Sequence, residues 1–309
     1  MTDYLAITGG VGGAKLALGL AHVLGPEALA FAVNTGDDFE HLGFTICPDI
    51  DTLTYTLAGL ANPREGWGRA DESWSFMDTL EALGGETWFR LGDRDLALHA
   101  YRTAALAGGR SLTEVVTEVA NALGVRHRIL PMSDDPVRTT VLSDRGALAF
   151  QHYFVRDRCA PAVTGFEFRG AHTARLNPAI EALLPGLKGI IICPSNPFVS
   201  IDPLLAIGDT RARLQALDVP VVAVSPIVGG QAIKGPTAKM MAELEIPATA
   251  AAVAAHYGNL LDGFVLDEQD AALDGTLDVP TVVTRTVMVS LEDRIALARA
   301  TLEVIDAVR

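Results

Sequence analysis

Cysteine is nearly missing from this 309-residue chain. Cys47, Cys159 and Cys193 are too few, too scattered and odd in number for a disulfide framework or a zinc set. The seven histidines show no metal-ligand spacing. No Gly-x-Ser-x-Gly elbow is present and no cysteine has a nucleophilic setting, so covalent catalysis is unsupported. Positive charge is scarce as well. The 24 Lys and Arg face 38 Asp and Glu, and the net charge of −14 argues against a general binder of nucleic acid or anionic membrane. A small anionic substrate in a local basic pocket stays compatible with that balance. No apolar run approaches the ~18 residues of a membrane span. The opening MTDYLAITGG has no basic stretch leading into a long apolar one, so no secretory leader is expected. These absences together predict a reduced, cytoplasmic protein.

The hydrophobic fraction, 49%, is ample for a large core. Residues 3–8 are a short apolar run that stops at Gly9-Gly10-Val11-Gly12-Gly13, and the following AKLALGLAHVL has the composition of a helix. Residues 28–34 read as a second strand, completing a βαβ unit. Residues 52–130 are mostly helical in pattern, with Gly84 and Gly124 as helix stops. Residues 137–155 alternate as a β-hairpin turning at Asp144-Arg145-Gly146. Further apolar runs at 189–196, 219–226 and 281–288 precede a C-terminal helix from Leu291 to Val308. The reading is α/β and Rossmann-like: a mostly parallel sheet flanked by helices, with a largely helical insertion. Residues 1–51 and 131–309 form the core in this reading, and 52–130 the insertion.

The glycine loop opens a helix after the first strand, where backbone N–H groups and the helix dipole favour an anion. It lacks the Lys-Ser/Thr ending of a P-loop, since Ala14-Lys15-Leu16 follows. A tight turn without a ligand is the alternative. Asn34-Thr35-Gly36-Asp37-Asp38 and Cys47-Pro48-Asp49-Ile50-Asp51 place four carboxylates within 15 residues. Such hard oxygen ligands suit Mg²⁺ beside a phosphate. Asp49 and Asp51 would share one side of an extended segment, or Asp51 would cap a helix starting at Thr52.

In Leu91-Gly92-Asp93-Arg94-Asp95, Arg94 offers a guanidinium fork to a phosphate or carboxylate, or makes a local ion pair. Pro194-Ser195-Asn196-Pro197 and Ser225-Pro226-Ile227-Val228-Gly229 end strands where α/β sheets bind ligands, and Lys234 follows the second with a positive charge. Leu130-Pro131-Met132-Ser133-Asp134-Asp135-Pro136 reads as an ordinary proline-bounded turn.

Taken in order, GGVGGAK, NTGDD, CPDIDTLTYTLAG, RLGDRDLALH, LPMSDDPV, PSNPFVSIDPLL and SPIVGGQAIKGP resemble the 2-phospho-L-lactate transferase family of coenzyme F-420 biosynthesis. The match in order runs to about residue 240, and DGFVLDEQD is also similar. The resemblance implies transfer of a phosphorylated three-carbon acid from a guanosine diphospho-activated donor to the ribityl hydroxyl of the deazaflavin 7,8-didemethyl-8-hydroxy-5-deazariboflavin (Fo). GMP leaves and Mg²⁺ assists. Phospholactate, phosphoenolpyruvate and phosphoglycerate are all compatible. It further implies the diphosphate against Gly10, Gly12 and Gly13, with Asn34 nearby. Asp37 and Asp51 would hold Mg²⁺, with Asp38 in reserve, and either Asp49 or Asp51 would face the hydroxyl. Arg94 would meet Fo or the acid, and Ser195, Asn196, Ser225 and Gly229 would border the guanosine. The insertion would contribute to the deazaflavin pocket. A homodimer is also implied. Two rivals are a non-enzymatic sugar-nucleotide-binding regulator and a dinucleotide-dependent oxidoreductase, the latter lacking its glycine fingerprint.

Overall fold

The computed structural model describes residues 2–63, 66–233 and 235–309. The chain opens with β1 (Tyr4–Thr8), α1 (Gly10–Val23) and β2 (Leu29–Val33), then a small hairpin, β3 (Phe39–His41) and β4 (Phe44–Ile46). Four helices follow: α2 (Pro48–Leu57), α3 (Ser75–Ala82), α4 (Asp93–Ala107) and α5 (Leu112–Ala122). Next come β5 (Arg128–Pro131) and an antiparallel three-stranded unit of β6 (Arg138–Ser143), β7 (Gly146–Ala149) and β8 (Val163–Arg169). The second half contributes β9 (Gly189–Ile192), β10 (Val221–Val224), the short pair β11 (Ile227–Val228) and β12 (Gln231–Ala232), β13 (Gly263–Asp267) and β14 (Thr281–Thr284). The chain then closes with the long helix Leu291–Val308.

Seven strands make one parallel sheet in the order β14-β13-β10-β9-β1-β2-β5. From β1 the chain builds outward through β2 and β5, then returns to lay β9 on the other side of β1. That reversal opens a crevice at the carboxyl ends of β1 and β9, where such sheets take ligands. Both faces of the sheet are covered. Ile7, Ala32 and Ile192 pack into one apolar cluster, and Ala6, Phe31 and Ile191 into the other. A strand buried on both faces reads as a continuous apolar run, which is why these strands stand out in the sequence.

The α/β class, the first βαβ unit, the turn after Ser143 and the terminal helix agree with the sequence reading. Gly84 and Gly124 end helices with φ of +77° and +79°, as left-handed caps. Three details differ. β5 lies within the stretch taken as insertion yet forms a sheet edge against β2. α2 begins at Pro48 instead of Thr52, because proline fits the first helical position and Asp49 and Asp51 complement the dipole of the first turn. Residues 152–156 form a wide helical turn where alternation predicts strand. Phe150 and Phe154 consequently stack, with centroids 5.5 Å apart.

α1 and the C-terminal helix cross at Gly19. A Cβ there would lie 2.1 Å from the Arg294 carbonyl oxygen. Alanine gains roughly 1 kcal/mol of helix propensity over glycine, but backbone must part from backbone to admit it. Gly19→Ala is therefore expected to destabilise by about 2 kcal/mol, read as a lower melting temperature; an unchanged or raised one would refute the close crossing.

Candidate active site

A cavity of about 550 Å³ lies at the crevice between β1 and β9. Its lining is of two kinds. Gly10, Gly12, Asp37, Asp49, Ser195, Asn196 and Ser225 come from the turns after the strands and from the start of α2. Tyr55 comes from α2, Trp67, Phe89 and Arg90 from the loops between helices, and Phe150 and Phe154 from the wide turn and the residues leading into it.

The glycine loop is held from two sides. The Gly9 N–H donates to Ser195 Oγ (3.3 Å), whose hydroxyl donates to the Gly9 carbonyl (2.8 Å). The Gly10 N–H donates to Asp49 Oδ1 (2.7 Å), so a carboxylate takes one of the donors at the start of α1. Val11 and Gly12 follow on the cavity wall. Gly12 is glycine because a Cβ would meet the Pro194 carbonyl oxygen at 2.5 Å. Gly13 does not line the cavity; a Cβ there would meet Thr8 Oγ1 at 2.2 Å, so its role is packing α1 on β1. Lys15 also lines the cavity, its Nζ donating to the Met288 carbonyl (3.0 Å).

The four aspartates separate into different environments. Asn34 Nδ2 donates to Asp37 and to Asp49 (2.9 Å), joining these two buried carboxylates through one neutral amide. Among the described residues neither is within ion-pair distance of a Lys or Arg. Burial pushes the Asp37 pKa well up, and the charges of Asp49 and Asp38 push it further. Burial raises Asp49 to about 6 against the hydrogen bonds from Asn34 and Gly10. Asp38 is raised by burial to about 7, opposed by Arg138, and it lies outside the cavity lining. Asp51 accepts both terminal nitrogens of Arg102, one at 3.0 Å to Oδ2 and a shorter one to Oδ1.

Asp51 lines the same cavity as Asp37, but its carboxylate is engaged by Arg102 whereas Asp37 is joined to Asp49 through Asn34. The reason is local: two positions along a helix turn side chains by about 200°, so Asp49 reaches the glycine loop while Asp51 reaches α4. A pair of buried carboxylates with no ion-pair partner among the described residues, such as Asp37 and Asp49, has the chemistry of a hard-cation site. Among the described residues no group of three or more His, Cys, Asp or Glu converges on one point.

Other placements vary. Arg94 is exposed and outside the cavity lining, its backbone N–H held by Glu72 (2.8 Å). Among the described residues the cavity arginine is Arg90, whose guanidinium also lies 4.8 Å from the Trp74 ring. Gly229 stands outside the lining with φ +55°, its N–H donating to Asp270 (3.0 Å). Ser133 and Asp134 serve the fold, bonding the Arg175 carbonyl and Thr113. Lys234 lies outside the described residues. Cys193 is buried core, its thiol pushed up to about 12 by burial, in keeping with an inert role.

Sequence reasoning missed the α4 wall. Asp95, His99 and Arg102 lie at i, i+4 and i+7, one face of a helix, with His99 and Arg102 buried and Asp95 half-buried. Tyr55 donates to Asp95 (2.5 Å), and His99 lies 3.4 Å from Asp95 and 3.8 Å from Asp51. Burial alone would raise Asp95, but His99 and Tyr55 bring it below the usual carboxylate range. The spacing of the three residues was a usable signal.

Comparison with known proteins settles the lineage of this site. The family model described as 2-phospho-L-lactate transferase CofD matches residues 5–302. The chain belongs to the 2-phospho-L-lactate transferase family. A phosphoenolpyruvate transferase of Kitasatospora aureofaciens is 38% identical over 315 residues, covering 99% of this chain and 98% of the relative. One from Streptomyces griseus is 37% identical, covering 99% of both chains. Thermobifida fusca has another, 37% identical over 86% of this chain and 87% of its own. A crystal structure of a UPF0052-family protein from Bacillus halodurans covers 98% of this chain and 100% of its own, with TM-score 0.64. At 14% identity it shows the fold alone. As a 2-phospho-L-lactate transferase family member, the chain is an enzyme of coenzyme F-420 biosynthesis that transfers a phosphate-containing group.

Proposed function

We propose that the enzyme moves a phosphorylated three-carbon acid from a guanosine diphospho-activated donor to the ribityl hydroxyl of Fo, releasing GMP. The observation that carries this reading is one cavity joining the glycine loop and the Asp37–Asp49 pair to an aromatic wall. Trp67 is 50% exposed and Phe154 39%, large apolar surfaces on a cavity wall that suit a flat heteroaromatic ring. The relatives' name favours phosphoenolpyruvate as the acid.

The residues divide the work. The start of α1 and Lys15 bring backbone donors and positive charge to the diphosphate. Asp37 and Asp49 would hold Mg²⁺, in keeping with its preference for few protein carboxylates. When bound, the ion neutralises diphosphate charge during displacement. Asp51, fixed by Arg102, faces the hydroxyl of Fo and accepts its hydrogen as the oxygen attacks phosphorus. The bond from that phosphorus to the bridging oxygen breaks, and GMP carries the electron pair away. No helix among the described residues is long and apolar enough to cross a membrane, compatible with action in the cytoplasm.

The test is direct. Purified protein with Mg²⁺ and Fo is offered the three activated donors in competition, and products are weighed by mass spectrometry. The expected major product carries the phosphoenolpyruvyl group; no adduct from any donor would refute the function, and a lactyl or glyceryl product would refute the choice of acid.

A further inference from the structure

We propose that Arg102 is a positioning residue for the transfer, acting through Asp51; this rests on the reading that Asp51 faces the acceptor hydroxyl. Arg102 sits in the middle of α4 and is 1% exposed, behind the cavity wall instead of on it. Its two terminal nitrogens engage both oxygens of Asp51, and one also donates to the Thr45 carbonyl (3.3 Å). A planar fork fixes the plane of a carboxylate as well as its charge, which a lysine point charge does not. Asp51 then keeps its remaining lone pairs for the cavity it lines.

The electrostatics give Arg102 the same assignment. Burial works against its charge, and Asp51, foremost among its neighbours, together with Cys47 and Asp38 more than offsets that. Asp37 and Asp49 share a neutral amide, whereas Asp51 has a guanidinium of its own. The arginine therefore divides adjoining carboxylates into two settings, one pair joined by an amide and one acid held and oriented by a guanidinium. A fold staple alone would not need this arrangement, because apolar residues of similar volume join buried helices at least as well.

The experiment is a double-mutant cycle on kcat with Asp51→Asn, Arg102→Met and the double variant, using full-length enzyme, Mg²⁺, Fo and the activated donor. Each single substitution is expected to lower kcat by about 100-fold. Donor KM is expected to stay within about threefold, because the glycine loop is untouched. The double variant is expected to match Asp51→Asn within about threefold, as for residues acting as one unit. Multiplying effects overturn the proposal, as does a wild-type kcat for Arg102→Met. A wild-type rate for Asp51→Asn overturns the underlying reading and this proposal with it. Should Arg102→Met not fold, Arg102→Lys replaces it in the cycle. That variant keeps a charge but not the fork, and it is expected to lose about tenfold in kcat while melting near the wild-type temperature. A wild-type kcat for Arg102→Lys overturns the positioning role.

Discussion

Asp49→Asn is expected to lower kcat/KM by about 10²–10³-fold and to raise the Mg²⁺ concentration needed for half-maximal rate. The amide is nearly isosteric, so the volume at the start of α2 is kept while the negative charge is lost. Three contacts of this carboxylate make the effect large: it holds the Gly10 N–H, accepts from Asn34, and faces the cavity beside Asp37. Asp37→Asn is expected to behave alike. Stability is expected to move the other way. Asp37 feels the charge of Asp49, and removing one of two buried like charges relieves the metal-free protein. Initial rates across a Mg²⁺ titration, with thermal melts in EDTA, check both statements. An unaltered Mg²⁺ dependence would take Asp49 out of the cation site.

Gly12→Ala is expected to cost about 100-fold in kcat/KM through geometry alone. The new Cβ would stand 2.5 Å from the Pro194 carbonyl oxygen, a backbone atom that cannot rotate away. Either α1 shifts along its axis or the turn from Pro194 to Asn196 retreats, and both carry cavity-lining groups. A displacement near 1 Å at reacting atoms is enough for such a loss. Gly25→Ala is the matched control, since its Cβ would meet nothing within 4 Å. Steady-state kinetics of the two variants side by side decide the matter; equal activity would show that the close approach at Gly12 does not set the loop.

The parts of this molecule that were legible in its sequence are those whose physics is local. Strands buried on both faces announce themselves as apolar runs, and glycines before a helix announce a close backbone approach. The glycine loop, Asn34, the aspartates and the serine-bearing turns all came from that grammar, and the cavity includes Gly10, Gly12, Asp37, Asp49, Asp51, Ser195, Asn196 and Ser225. What stayed hidden depends on facing. Asp49 and Asp51 look equivalent in a chain drawn straight, and the helix that begins at Pro48 sends them to different partners. Arg94 sits in the more conspicuous motif, yet among the described residues it is Arg90 that lines the cavity and Arg102 that holds Asp51 from behind it. β5 was obscured because four residues at a sheet edge carry too little periodicity to separate from a preceding helix.

The crossing of α1 with the final helix bears on how the protein is made. Leu16 and Leu20 of α1 share an apolar cluster with Leu297, Ala298, Val304 and Ile305. During synthesis the ribosome therefore releases the glycine-loop helix long before its last packing partner exists. The nascent chain has its glycine-loop helix in hand almost from the start and can pack it on β1 and α2, but one face of that helix stays uncovered until residues 291–308 emerge. A message truncated before residue 291 would yield every cavity-lining aspartate of the described residues yet leave one apolar face of α1 uncovered.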